Sequence, residues 1–201
     1  MSSEATNASS ERAFEFTAAQ KRDLLKLARD TLTAYLAELP LPPAELPGLN
    51  DIRAGVFVSL HVKERLRGCI GYVEGLRPLP EALQEIAISA ASRDPRFEPL
   101  EAEELPVVEI EISVLSPLRQ IESPDEIILG KHGLMVRSGY HQGLLLPQVA
   151  LHNNWNVETF LAHACQKAGL PSEAWKDPET VIYVFDAEVF SETSVSSDAT
   201  G

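Results

Sequence analysis

The sequence predicts an α+β protein, built mainly from antiparallel sheet with flanking helices. Strand-like and helix-like segments follow one another without regular βαβ alternation. Residues 56–73 form two strand-like runs separated by three polar residues, the pattern of a hairpin. Val108, Ile110, Ile112 and Val114 alternate with Glu109, Glu111, Ser113 and Leu115, the period-two signature of a half-buried strand.

Each element has a local reason. Thr17 and Gln20 stand at capping-box spacing, and a helical stripe follows at Leu24, Leu25, Ala28, Leu32, Tyr35, Leu36 and Leu39. Pro40, Pro42, Pro43 and Pro47 stop that helix, because proline lacks the amide and clashes with the preceding turn. The hairpin runs from Val56 to Val62 and from Leu66 to Val73, across Lys63, Glu64 and Arg65. A second helix starts near Pro80, which suits a first turn, points Leu83, Ile86, Ala87 and Ala90 inward and stops before Pro95. Short strands are expected at 133–136 and 143–146, joined by a polar turn. A third helix is capped by Asn156, buries Phe160, Leu161, Ala164 and Cys165, and ends at Gly169, where a left-handed residue belongs. The run from Val181 to Phe185 reads as a strand covered on both faces.

The 201 residues carry 17 Lys and Arg against 30 Asp and Glu, a net charge of −13. That balance excludes a chain that coats nucleic acid or an anionic membrane through bulk charge. Two cysteines, Cys69 and Cys165, make neither a disulfide framework nor a CxxC motif. The polar first residues lack the apolar region of a secretory signal, and no apolar run reaches the length of a membrane span. A soluble cytoplasmic chain is expected. Residues 1–13 and 191–201 are small and polar and read as frayed tails. A single domain lies between them, over 14–190.

The hexapeptide Leu66-Arg67-Gly68-Cys69-Ile70-Gly71 is the most unusual in the chain. Glycine weakens a strand unless the strand bulges or something approaches its backbone closely. Arg67 and Cys69 are two residues apart, so regular strand geometry puts both side chains on one face, where a guanidinium favours thiolate. His61 joins that face only if the hairpin pairs Ser59 with Cys69, since a one-residue slip turns it away. Against this stands the plainer reading of Cys69 as a small buried hydrophobe. Cys165, on an apolar helical stripe, reads as core.

This hexapeptide resembles the signature of the AMMECR domain family. The resemblance extends to Ser92-Arg93-Asp94-Pro95-Arg96-Phe97, Glu111-Ile112-Ser113-Val114-Leu115, Lys131-His132-Gly133 and Leu145-Leu146-Pro147-Gln148-Val149-Ala150. It continues through the series Trp155, Phe160, Leu161, Cys165, Ala168, Gly169 and Trp175, and covers about Thr17 to Phe190. It implies two α+β lobes around a cleft, with the hexapeptide near that cleft. It also implies company, because bacterial and archaeal relatives are grouped with a Memo-like protein and a radical-SAM protein. It implies no reaction.

Arg67, Arg93, Arg96, Lys131 and His132 all fall inside these motifs. Converging, they would make a positive pocket for a small anion on an acidic body, with Gly68 and Gly71 admitting the ligand to the strand. The alternative is that Arg93 pairs with Asp94 or a glutamate and that Lys131 lies in a turn. The five histidines are spaced too widely for HxH or HExxH, so no metal is expected. No cofactor is expected either, for neither GxGxxG nor a P-loop is present. Glu98, Glu101, Glu103 and Glu104 read as a solvated face. Trp155 and Trp175 read as packing against the third helix. Three functions stay open: a subunit binding an anion or partner, an enzyme with Cys69 as nucleophile and His61 or His132 as base, and a scaffold.

Overall fold

The structure is a computed structural model and describes residues 14–197. The expected tail at 1–13 lies outside these residues, as do residues 198–201. Helix α1 (Ala18–Leu36) starts where expected, with Thr17 and Gln20 forming a complete capping box. Strands β1 (Gly55–Val62) and β2 (Arg65–Tyr72) form the expected hairpin. Its turn is only Lys63 and Glu64, both at positive φ (51° and 64°), which matches the twist of a two-residue hairpin. Helix α2 (Leu79–Ser92) and strand β3 (Val108–Leu115) follow.

Beyond β3 come β4 (Arg119–Ile121), β5 (His132–Ser138), β6 (His141–Leu145), α3 (Pro147–His152) and α4 (Val157–Lys167). Strand β7 (Val181–Ser191) and helix α5 (Glu192–Ser197) complete the described chain. Asn156 caps α4 by accepting the Thr159 amide at 2.8 Å, and Gly169 takes φ 75° just past its end. The fold class is α+β, and every strand pairing detailed below is antiparallel.

The described residues divide into two compact units, one of Phe14–Leu115 with 188–197 and one of Ser116–Ala187. In the first, β1 lies between β2 and β3. Val56, Val58 and Leu60 of β1 and Ile110, Ile112 and Val114 of β3 are fully buried in one core with α1 and α2 residues such as Leu24, Leu32, Leu83 and Ile86. Each such side chain contributes about 1.5–3 kcal/mol on burial. The α1 stripe ends sooner than its periodicity suggests, because Tyr35 and Leu39 are exposed.

In the second unit, β7 pairs with β4 and β5, and β5 with β6. Phe160, Leu161, Ala164 and Cys165 of α4 fill its core against Leu134, Val136, Ile182 and Val184. Trp155 and Trp175 pack against that core. The 181–185 run is not covered on both faces, since Val181 and Tyr183 are half-exposed between buried neighbours.

The expected tail from residue 191 is corrected for 191–197. Glu192 opens α5, and its carboxylate accepts from the Arg29 guanidinium and from the Ile110 amide at 2.9 Å. Arg29 also donates to the carbonyls of Leu105 (2.9 Å) and Val108 (2.7 Å), and Val195 is buried in the same core. A short polar sequence is ordered because one carboxylate meets a guanidinium already fixed to the main chain. Glu192→Ala therefore lowers stability by about 1–3 kcal/mol, the range for stranding hydrogen-bonded groups. A fall in the urea midpoint without change in slope is the expected reading.

Candidate functional site

The hairpin register decides what stands beside Cys69. Ser59 pairs with Cys69 and Phe57 with Gly71, and on the other side of β1 Ser59 pairs with Glu111 and Phe57 with Ser113. Side chains directly across neighbouring strands share a face. One face of the three-stranded sheet therefore carries the row Cys69, Ser59, Glu111 and beside it the row Gly71, Phe57, Ser113. The opposite face is the apolar core face.

Cys69 is partly exposed, and the Ser59 hydroxyl donates to its sulfur at 3.3 Å. Its backbone is held from the outer side of β2. The Asp94 carboxylate accepts the Cys69 amide at 2.8 Å. It also accepts the Arg96 amide (3.1 Å), Arg96 Nε (2.9 Å) and Arg96 Nη2 (2.6 Å). Arg96 Nη2 donates in turn to the Cys69 carbonyl at 3.2 Å. Asp94 and Arg96 thus serve Cys69 as a neighbouring strand would.

Only 2% of the Asp94 side chain is exposed, against 56% of Arg96. The Arg96 guanidinium, aided by the backbone amides, holds the Asp94 carboxyl far below the usual carboxylate range. Arg96 is held charged first by its bond to Asp94, and its guanidinium also interacts with the Cys69 sulfur.

Not all the expected residues gather here. The pairing slips between Leu60 and His61, so that Leu60 faces Gly68 and His61 faces Leu66. Arg67 is the extra residue of this bulge, and regular strand geometry no longer aims it at Cys69. Its guanidinium instead forks onto Glu104 (2.8 Å twice) and donates to the carbonyls of Glu98 (2.7 Å) and Pro99 (3.2 Å). The reading of Arg67 as the partner of the thiol is corrected by that bulge, and Glu104 is an ion-pair partner rather than a solvated charge. His61 shares the face of Ser59 and stands across from Glu109, and among the described residues no hydrogen bond joins it to the thiol.

Arg93 is exposed and acts electrostatically on the Tyr72 hydroxyl. It makes no ion pair with Asp94, a place that Arg96 takes. The two glycines serve packing. A Cβ on Gly68 would lie 2.2 Å from the Ala90 carbonyl of α2, and one on Gly71 would lie 2.2 Å from the Phe57 ring.

Lys131 and His132 belong to the second unit, where both turn to Asp186, at 3.9 and 3.6 Å. The Ile128 amide donates to His132 Nδ1 at 3.1 Å, which leaves the imidazole proton on Nε2. Burial lowers the His132 pKa. Cys165 is fully buried, and burial raises its pKa. Among the described residues, no group of three or more His, Cys, Asp or Glu side chains is placed to hold a metal ion.

The family profile of AMMECR1 matches residues 25–190. The chain belongs to the AMMECR1 family. A protein of Methanothermobacter thermautotrophicus is 47% identical over 180 residues, covering 85% of this chain and 93% of that one. A protein of Methanocaldococcus jannaschii is 41% identical over 176 residues, covering 84% of this chain and 88% of its own. Among solved structures, an uncharacterized protein from Pyrococcus horikoshii superposes with a TM-score of 0.80 at 41% identity. That match covers 86% of this chain and 91% of that one.

Sequence reasoning passed over Asp94 as a site residue. Its signal lay in the spacing Asp94-Pro95-Arg96, where a short acid two residues before an arginine can bond that residue's own amide. Because the folded-state carboxyl titrates below its unfolded value of about 3.8, its stabilisation is complete above that pH and is lost as pH falls below it. Asp94→Asn is therefore expected to cost about 1–3 kcal/mol at pH 7. The gap from the natural protein should narrow as the pH of chemical denaturation is lowered from 4 toward 2. An unchanged gap would mean that Asp94 does not carry this charge.

Proposed function

We propose that this AMMECR1-family protein is a binding subunit that takes a small anionic group beside Cys69, through Arg96 and Arg93. The observation that carries the reading is the fixing of Arg96. Its Nε and Nη2 are spent on Asp94 and the Cys69 carbonyl, so the guanidinium is oriented before any ligand arrives. Among the described residues no hydrogen bond to an oxygen uses its Nη1, and more than half of the side chain is exposed. A preoriented guanidinium loses little side-chain entropy on meeting a carboxylate or phosphate. Arg93, exposed one residue before Asp94, is the nearest further cation along the chain. Arg67 is left out because Glu104 already occupies its fork.

A second reading is favoured by one observation, the Ser59 hydroxyl donating to a partly exposed thiol. Cys69 would then be a nucleophile. The binding reading stands ahead of it because, among the described residues, no general base is hydrogen-bonded to the sulfur, and the Arg96 guanidinium that interacts with it cannot accept a proton. Partnership with a Memo-like and a radical-SAM protein also belongs to this proposal. Its support is family membership, and co-elution of the three purified proteins tests it. No helix among the described residues is long and apolar enough to cross a membrane.

Inorganic phosphate is the probe for the anion site, read by isothermal titration and by thermal protection. Arg96→Lys and Arg93→Ala are expected to weaken phosphate at least tenfold, while Cys69→Ser keeps most of the affinity. Equal phosphate affinity in Arg96→Lys, Arg93→Ala and the natural protein would defeat the binding reading. Iodoacetamide labelling of Cys69 far faster than Cys165 in the folded protein at pH 7 would put the nucleophile reading first.

A further inference from the structure

The outer side of α2 presents a groove that none of the foregoing uses. Leu83, Ile86, Ala87 and Ala90 point into the core, which leaves Glu81, Gln84, Glu85 and Ile88 on the other face at the i, i+3, i+4, i+7 spacing of one helical stripe. Leu41, on the proline-rich segment after α1, forms the facing wall. Together with Arg77 these residues enclose about 400 Å³, within the usual size of a ligand site. The walls are tied to each other, because Gln84 Nε2 donates to the Pro42 carbonyl at 2.8 Å. On the far side of Arg77 a smaller hollow of about 190 Å³ is lined by Tyr72, Glu74, Leu76 and Ala82. Leu76 is 79% exposed and Tyr72 and Leu41 are each 43% exposed.

We propose that this groove is the docking surface for a basic, partly apolar peptide segment of a partner protein. Charge selects the occupant. Arg77, the cation in the lining, is neutralised by Glu85 at 3.2 Å, and Tyr72 donates to the other Glu85 oxygen at 2.7 Å. Glu81 and Glu74 line the two hollows, and among the described residues neither carboxylate has a hydrogen bond or ion pair. A lysine or arginine meets this arrangement with its stem along Leu41 and Ile88 and its charge at Glu81. A neighbouring aliphatic side chain of the segment enters the hollow at Tyr72 and Leu76. An acidic segment would oppose both free carboxylates. A second copy of this chain would bring another net charge of −13 against the same rim.

The test uses a fluorescein-labelled nonapeptide of alternating lysine and leucine, titrated into the full chain at 150 mM salt. A glutamate–leucine peptide of equal length is the control. Glu81→Lys and Leu76→Ser alter exposed positions, so the fold is retained and melting curves verify this. Each is expected to weaken the lysine peptide at least tenfold. Glu179→Lys, the same charge change at an exposed site of the second unit, is expected to weaken it less than twofold. Equal losses for Glu81→Lys and Glu179→Lys would reduce the effect to bulk charge and overturn the proposal. So would comparable binding of the glutamate peptide, or concentration-dependent dimerisation abolished by Glu81→Lys. None of these outcomes bears on phosphate binding at Arg96, so the two readings fail separately.

Discussion

The site around Cys69 depends on one buried carboxylate. Asp94 accepts the amides of Cys69 and Arg96 and two guanidinium nitrogens of Arg96. It thereby fixes an edge strand, a loop and a cation at once. A charge with 2% of its side chain exposed is tolerable only because four donors replace water. Losing any of them leaves the rest bonding a less well-satisfied anion, so the arrangement is stiff. The same bonds blunt the outer edge of β2, where unpaired strand groups invite pairing with another chain.

The hexapeptide was legible in part. Its strand character and a turn near Lys63 and Glu64 follow from alternation and from polar residues between apolar runs, whereas the Ser59–Cys69 register stays open in the sequence and is fixed only by the strand pairing. The bulge at Arg67 does not. It depends on Glu104 and the Glu98 and Pro99 carbonyls drawing the guanidinium aside, and those groups lie more than thirty residues along the chain. Spacing two residues apart is a statement about regular strands. One extra residue cancels it without leaving a mark in the hydrophobic pattern. Glycine within a strand signals close approach without saying of what, and the groups that approach Gly68 and Gly71 are a helix carbonyl and a phenyl ring.

The same limit explains the elements that composition hid. Residues 192–197 are too polar to bury much of themselves, and their helix rests on Arg29, more than 160 residues earlier. Strand β4, three residues long, exists through its pairing with β7 and has no periodicity to detect. By contrast α1 and α4 announce themselves, because Thr17, Asn156 and Gly169 act within four residues of the groups they satisfy. Local chemistry is readable from local sequence, and pairings made by tertiary contact are not.

These commitments also reshape the electrostatics of an acidic protein. Arg29, Arg67 and Arg96 each fork onto a carboxylate. Within the first unit, cations in the family-like motifs are therefore chiefly used to place main chain, and only what remains of each fork can meet a ligand. Arg96 differs from Arg67 in this respect. Arg67 has spent Nε, Nη1 and Nη2 and lies largely covered, whereas Arg96 keeps Nη1 and more than half its side-chain surface. On the proposed binding reading, an anion approaching the first unit meets a strong general repulsion and an oriented guanidinium at Arg96. That combination penalises bulky polyanions, which feel the whole negative surface, more than a small group whose charge is met at short range.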